Sequence, residues 1–215
     1  MTQQKPLVAA LTEFQQKRPF SFHVPGHKNG MLSGLPADFK QVLPYDLTEL
    51  TGLDDLHYPE EVIKEAQQLL AETYAAEHSF FLVNGSTVGN LAMIYAVCGE
   101  GDHVIVQRNS HKSIFHALEL AKARPVFISP EWDQTSLTAG GVRLTDVEAV
   151  IREYPHAKAI VLTYPNYYGM ASNEMGKIIE LCHEQGMPIL VDEAHGAHFQ
   201  LGAPYPISSL TMGAD

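Results

Sequence analysis

The sequence predicts an α/β domain, a mainly parallel sheet sandwiched by helices, preceded by an N-terminal helical arm and an irregular segment. Two observations carry this expectation. Short apolar runs alternate with longer stretches whose apolar residues recur at helical spacing. Most of the apolar runs are followed directly by small and polar residues, as expected where parallel strands end together at one rim of a sheet.

The elements follow in order. Residues 6–17 place Leu7, Ala10, Leu11 and Phe14 on one helical face and form the arm. Residues 19–59 are rich in Gly, Pro and His, with Pro25-Gly26-His27-Lys28 and Asp54-Asp55 within them. So long an irregular stretch is either functional or disordered, and the interleaved Phe20, Phe22, Leu47, Leu50 and Leu53 argue for order. The arm and this segment make one region, 1–58, and the α/β domain a second, 59–215. Pro59, Glu60 and Glu61 suit a helix start, with Val62, Ala66, Leu69 and Thr73 on one face. Phe80 to Val83 reads as a short buried strand, followed by a helix from Ser86 to Val97. His103 to Gln107 is a strand, His111 to Ala123 a helix and Pro125 to Ser129 a strand. Thr145 and Glu148 form a capping box for a helix reaching Tyr154. Ala159 to Thr163 is a strand, Asn173 caps a helix ending before Gly186, and Ile189 to Val191 is a strand ending at Asp192.

Composition narrows the function classes. A net charge of −11 argues against a nucleic-acid or anionic-membrane surface, since both need basic patches. No apolar run approaches membrane-span length, and the start lacks the apolar core of a signal peptide. Cys98 and Cys182 sit among apolar neighbours in expected helices, so they read as buried thiols, in keeping with a cytoplasmic location.

The chemistry gathers after the strands. Asn84-Gly85-Ser86-Thr87 opens a helix, so Gly85 permits a tight turn while Ser86 and Thr87 set hydroxyls beside unpaired N–H groups. The segment reads as a phosphate cradle or as an ordinary helix cap. It is not a Walker A loop, because the Gly-Lys-[Ser/Thr] ending is missing. His111 stands at another helix start, where its ring is placed to stack on an aromatic ligand or simply to cap; Lys112 beside it is a weaker candidate for covalent chemistry. Tyr164-Pro165-Asn166-Tyr167-Tyr168-Gly169 offers rings and hydroxyls, or a packed turn. Asp192-Glu193-Ala194-His195-Gly196-Ala197-His198 places an acid at the end of a buried strand, where burial without a partner is costly, so a cation is expected near Asp192. A protonated ring nitrogen is one such cation. A metal held by Asp192, His195 and His198, with His23 and His27, is another reading; a helicase-type Asp-Glu-Ala-His box fits poorly without a Walker A loop.

Taken together, six segments resemble the bacterial Orn/Lys/Arg decarboxylase family of fold-type I pyridoxal-phosphate enzymes, most closely its shorter, Gram-positive-type members. They are FHVPGHKNG (22–30), LTELTGLDDLHYPEEVIKEAQ (47–67), FFLVNGSTVGNLAM (80–93), VQRNSHKSIFHAL (106–118), TYPNYYG (163–169) and VDEAHGAHF (191–199). The resemblance implies the large cofactor-binding domain of such an enzyme, with pyridoxal 5'-phosphate as cofactor and a basic amino acid (arginine, lysine or ornithine) as the small-molecule substrate. It implies that Gly85, Ser86 and Thr87 hold the phosphate, His111 stacks on the pyridine ring, Asp192 pairs with the ring nitrogen, and His195 lies near the ring oxygen or the imine. It places Pro25-Gly26-His27-Lys28 and Asp54-Asp55 near the active site. Where many relatives read Asn-Pro-Thr or Ser-Pro-Thr, this chain has Tyr164-Pro165-Asn166. The family's Schiff-base lysine follows a Ser-x-His motif soon after a Gly-Ala-Asp such as 213–215, so the chain is expected to stop short of it and to be inactive alone. Homodimers or higher homo-oligomers are implied for the full-length enzyme. Another enzyme with the same cofactor, an aminotransferase or lyase, and a non-catalytic truncated protein are the alternatives.

Overall fold

The computed structural model describes residues 5–32 and 34–215. The chain gathers into two compact units, Met1–Phe81 and Leu82–Asp215.

The first unit is helical. The arm is α1, Pro6–Lys17, with proline in its first turn and Arg18 closing it in the left-handed conformation. The irregular stretch is ordered around α2, Ala37–Val42, and a 3-10 turn, Leu43–Tyr45. Of the apolar side chains that predict this order, Leu53 is buried, whereas Phe20 and Phe22 stand 88% and 95% exposed. The next helix, α3, is Val62–Tyr74 rather than starting at Pro59. Asp54 explains the later start: its carboxylate accepts from the N–H groups of Glu60, Glu61 and Ile63, each at 2.9 Å, and so caps the helix from a distance.

The second unit contains the sheet. Four strands, β1 His103–Gln107, β2 Arg124–Ile128, β5 Ala159–Thr163 and β6 Ile189–Asp192, run parallel in the order β2-β1-β5-β6. Helices α4, Gly85–Val97, and α5, Lys112–Ala121, cover one face. Helices α6, Leu144–Glu153, and α7, Met175–Glu184, cover the other. The alternation of side chains along each strand divides the core accordingly. Val104, Val106, Ala159, Val161 and Leu190 pack with Ile94, Ile114 and Leu118. Ile105, Ile160, Leu162 and Ile189 pack with Val147, Ile151, Ile178 and Ile179. Both cysteines are free and buried. A small antiparallel pair, β3 Trp132–Asp133 and β4 Thr138–Ala139, stands in the loop after β2.

Three local expectations are corrected. Phe80 to Val83 is not a strand: no ladder pairs it among the described residues, and Phe80, Leu82 and Val83 are exposed. Extended backbone without a partner has nowhere to place its N–H and C=O groups except water. Thr145 does not cap α6, which starts one residue earlier; Arg143 is the cap position and the Leu144 N–H donates to the Glu174 carboxylate at 3.0 Å. Asn173 does not cap α7, because Ser172 accepts from the Glu174 N–H at 3.2 Å and the helix begins at Met175.

Candidate functional site

The register of the sheet decides where chemistry can occur. Thr163 pairs with Asp192, so β5 and β6 end side by side. Beyond their carboxyl ends opens a cleft of about 280 Å³, lined by Asn84, Gly85, Ser86, Thr87, Asn90, His111, Thr163, Tyr167, Asp192, Ala194 and His195. Of the residues singled out from the sequence, Gly85, Ser86, Thr87, His111, Asp192 and His195 line this wall, whereas residues 25–28, Asp54, Asp55, Lys112 and His198 do not.

Helix α4 points its N-terminus into the cleft. Asn84 takes the N-cap position in the left-handed conformation and supplies no side-chain cap, and Gly85 follows with φ of +64°. Among the described residues no side chain caps the first-turn N–H groups, which stand beside the Ser86 and Thr87 hydroxyls, a setting suited to an anion.

Asp192 forms part of the cleft wall and is 7% exposed. One carboxylate oxygen accepts from Asn90 Nδ2 at 2.8 Å and the other from the Ala194 N–H at 3.2 Å. Both partners are neutral, and no ion pair identified among the described residues involves Asp192. A buried carboxylate held by neutral dipoles beside an open cleft is a seat for a cation.

His111 is the N-cap of α5, as expected, and its ring nitrogen Nδ1 lies 2.8 Å from Ser113 Oγ and accepts from the Ser113 N–H at 3.3 Å. Its ring and that of His195 flank Tyr167, with centroids 6.1 and 5.1 Å from the tyrosine. Lys112 is exposed and does not line the cleft. His198 packs edge-on against Phe199 and Tyr205 instead of joining Asp192 and His195, and no metal-binding cluster of three such groups occurs among the described residues.

The loop after β5 is built by Asn166. Its Nδ2 donates to the Ala139 and Gly140 carbonyls, and its Oδ1 accepts from the Tyr168 and Met170 N–H groups. With four partners it is a buried brace, and the loop it braces carries Tyr167 on the cleft wall. Tyr164 faces away from the cleft, packing against Phe199 and donating to the Ile207 carbonyl at 3.0 Å. Burial raises its hydroxyl pKa, with the Glu193 charge adding to the effect. Glu193 is also raised above the usual carboxylate range by burial, although the Ser209 N–H and hydroxyl donate to it and pull the other way. These two side chains tie residues 207–209 to the rim.

Sequence reasoning missed Asn90 and Thr163. The signal for Asn90 was spacing: it lies one helical turn beyond Ser86 and so shares its face. Thr163 was read as a strand end without a role; its N–H donates to Gln107 Oε1 at 3.2 Å, a cross-strand tie between β5 and β1.

A family model described as Orn/Lys/Arg decarboxylase, major domain, matches residues 5–215. The chain is 50% identical over 212 residues to the uncharacterized protein YaaO of Bacillus subtilis, covering 98% of this chain and 44% of that one. It is 40% identical over 215 residues to an arginine decarboxylase of the same organism, covering 98% and 43%. Among solved structures it resembles lysine decarboxylase A from Pseudomonas aeruginosa, with a TM-score of 0.79 at 26% identity, covering 98% of this chain and 30% of that one. The chain thus spans less than half the length of the curated relatives it matches. The chain belongs to the Orn/Lys/Arg decarboxylase family, and its residues 5–215 correspond to that family's major domain.

Proposed function

We infer that this chain is the cofactor-binding part of a pyridoxal-phosphate-dependent decarboxylase that converts a basic amino acid to its amine and CO₂. One observation carries the reading: the uncapped start of α4, the His111 ring and the cation-free Asp192 carboxylate face a single cleft. That wall fits a ligand with an anionic group at one end and a protonated ring nitrogen at the other.

The fit assigns each residue a task. The first-turn N–H groups of α4 and the hydroxyls of Ser86 and Thr87 bind the phosphate. His111 would serve to stack on the pyridine ring, and Asp192 would keep the ring nitrogen protonated through a charge-assisted hydrogen bond. At about 3 Å and an effective dielectric near 20 that attraction is on the order of 5 kcal/mol before desolvation costs. His195 lines the same wall and would be available to the ring oxygen or the imine. When bound, pyridoxal phosphate would supply an electron sink for decarboxylation at the α-carbon. The 215 residues contain no Ser-x-His-Lys motif, so on this reading the chain binds the cofactor without releasing CO₂.

Equilibrium dialysis of pyridoxal phosphate against the chain tests this. Saturable binding is expected, weakened about tenfold or more by Asp192→Ala, the loss of one hydrogen bond to a charged group. A Ser86→Ala/Thr87→Ala double variant is expected to weaken it comparably. Absence of binding, or binding indifferent to all three positions, overturns the reading. The accompanying expectation is that arginine, lysine and ornithine give no CO₂ with the 1–215 chain.

A further inference from the structure

We propose that Asn90 is a positioning residue that couples the Asp192 carboxylate to the His111 ring through Ser113, fixing the carboxylate's direction and the histidine's tautomer together. The inference rests on the cofactor reading for its purpose, but not for its geometry.

The three polar side chains lie in the interior of the unit: Asn90 is 4% exposed, Ser113 1% and Asp192 7%. At this burial the hydrogen bonds they make matter, and their matching has one direction. A carboxylate only accepts, so the amide nitrogen of Asn90, not its oxygen, must face Asp192 Oδ2, 2.8 Å away. The second N–H of the same amide donates to Ser113 Oγ, also at 2.8 Å. With one lone pair engaged there, the Ser113 hydroxyl proton is free to point at His111 Nδ1, 2.8 Å from the same oxygen. The Ser113 backbone N–H, which can only donate, approaches Nδ1 as well, at 3.3 Å. Two donors converge on Nδ1, so that nitrogen carries the lone pair and the ring proton resides on Nε2. Moving the proton to Nδ1 would set N–H against N–H and leave the Ser113 hydroxyl proton without an acceptor in a buried site.

The consequence is a ring whose orientation and tautomer are set from the floor of the cleft. Asn90 lies on α4, Ser113 and His111 at the start of α5, and Asp192 at the end of β6. Three elements are thereby tied by one amide. The helix whose N-terminus would hold the phosphate also positions the acid and the ring.

Long-range proton–nitrogen correlation spectra of the ¹⁵N-labelled 215-residue chain, without cofactor, read the tautomer directly. The wild-type chain is expected to show an unprotonated, pyridine-type Nδ1 and a protonated Nε2 at His111. Asn90→Ala and Ser113→Ala are each expected to raise the Nδ1–H population, and Ser113→Thr, which keeps the hydroxyl, to restore the wild-type pattern. A protonated Nδ1 in the wild type overturns the proposal. So does a pattern at His111 unchanged by Asn90→Ala in a chain whose circular dichroism shows it folded. Should Asn90→Ala unfold, the Ser113→Ala and Ser113→Thr pair decides alone: a shift in the first and none in the second supports the coupling, and any other result overturns it. A parallel dialysis arm with pyridoxal phosphate expects Asn90→Ala to raise the Kd about tenfold, the size of one lost hydrogen bond to a charged group. If the wild type binds no pyridoxal phosphate while the tautomer responds as expected, the cofactor reading fails and the coupling stands.

Discussion

Single carboxylates do different work in the two units, and their hydrogen bonds show which. Asp54, in the first unit, sits in the left-handed conformation with φ of 67° and gathers backbone N–H groups at the start of α3. Burial pushes its pKa up, but N–H donors from Glu60, Asp55, Glu61 and Ile63 outweigh that and bring it down to about 2 from the ordinary 3.8. A depressed acid stabilises the fold above its unfolded value and loses that contribution as pH falls through the folded one. Asp54→Ala is therefore expected to destabilise the chain by about 1–2 kcal/mol at neutral pH, the cost of a lost helix cap. The gap from wild type should narrow as pH drops from about 4 through 2, as Asp54 takes up its proton and loses the charge. Thermal melts across that range check it; a gap independent of pH would show that the charge does nothing. Asp192, by contrast, spends its two oxygens on one amide and one N–H at a cleft wall. At this scale Gly85, Ser86, Thr87, His111, Asp192 and His195 were legible as cleft residues because each follows or ends an apolar run. Asn90 was not: its one signal is that it lies a helical turn beyond Ser86, and the partners that give it a role lie 23 and 102 positions away.

Elements with strong local patterns were readable to the residue. Strands β1 and β5 fall where their apolar runs end, at Gln107 and Thr163, and the capping His111 is where the sequence places it. Two of the misreadings turn on partners distant in sequence or missing, while the third, at Asn173, is a local shift to Ser172, which accepts from the Glu174 N–H. The Leu144 N–H is held by Glu174, thirty positions on, and Phe80 to Val83 lacks any ladder partner among the described residues. The same dependence on neighbours ranks the strands by sensitivity. Leu162 in central β5 is fully buried, so Leu162→Ala is expected to cost about 2–5 kcal/mol in urea unfolding, transfer plus cavity. Phe127 in edge strand β2 is 38% exposed and lies under the Arg108 guanidinium, whose carbon is 4.7 Å from the ring centre. An exposed cation–π contact is worth about 0.5–1 kcal/mol, so Phe127→Ala should cost less than Leu162→Ala. Equal costs would mean that β2 is not the edge its exposure makes it.

The molecule as a whole sets charge against exposed apolar surface. The net charge of −11 keeps copies apart, yet Phe20 and Phe22 in the first unit and Leu82, Val83 and Tyr95 in the second each leave about half or more of their area in water. Phe20 and Phe22, two residues apart and almost fully exposed, are the candidates for contact with a second copy. Each phenylalanine that finds cover contributes roughly 1.5–3 kcal/mol, enough to drive self-association once repulsion is weakened. The weight-average mass from sedimentation is therefore expected to rise with protein concentration. It should rise further with added salt, because screening within about 10 Å at 0.1 M removes the opposing charge but leaves apolar attraction intact. A Phe20→Ser/Phe22→Ser variant, which deletes the two most exposed rings without altering the charge, should associate less at every salt concentration. Association that weakens with salt would point instead to contacts between opposite charges, and a mass that stays monomeric throughout would show that the exposed rings are tolerated in water.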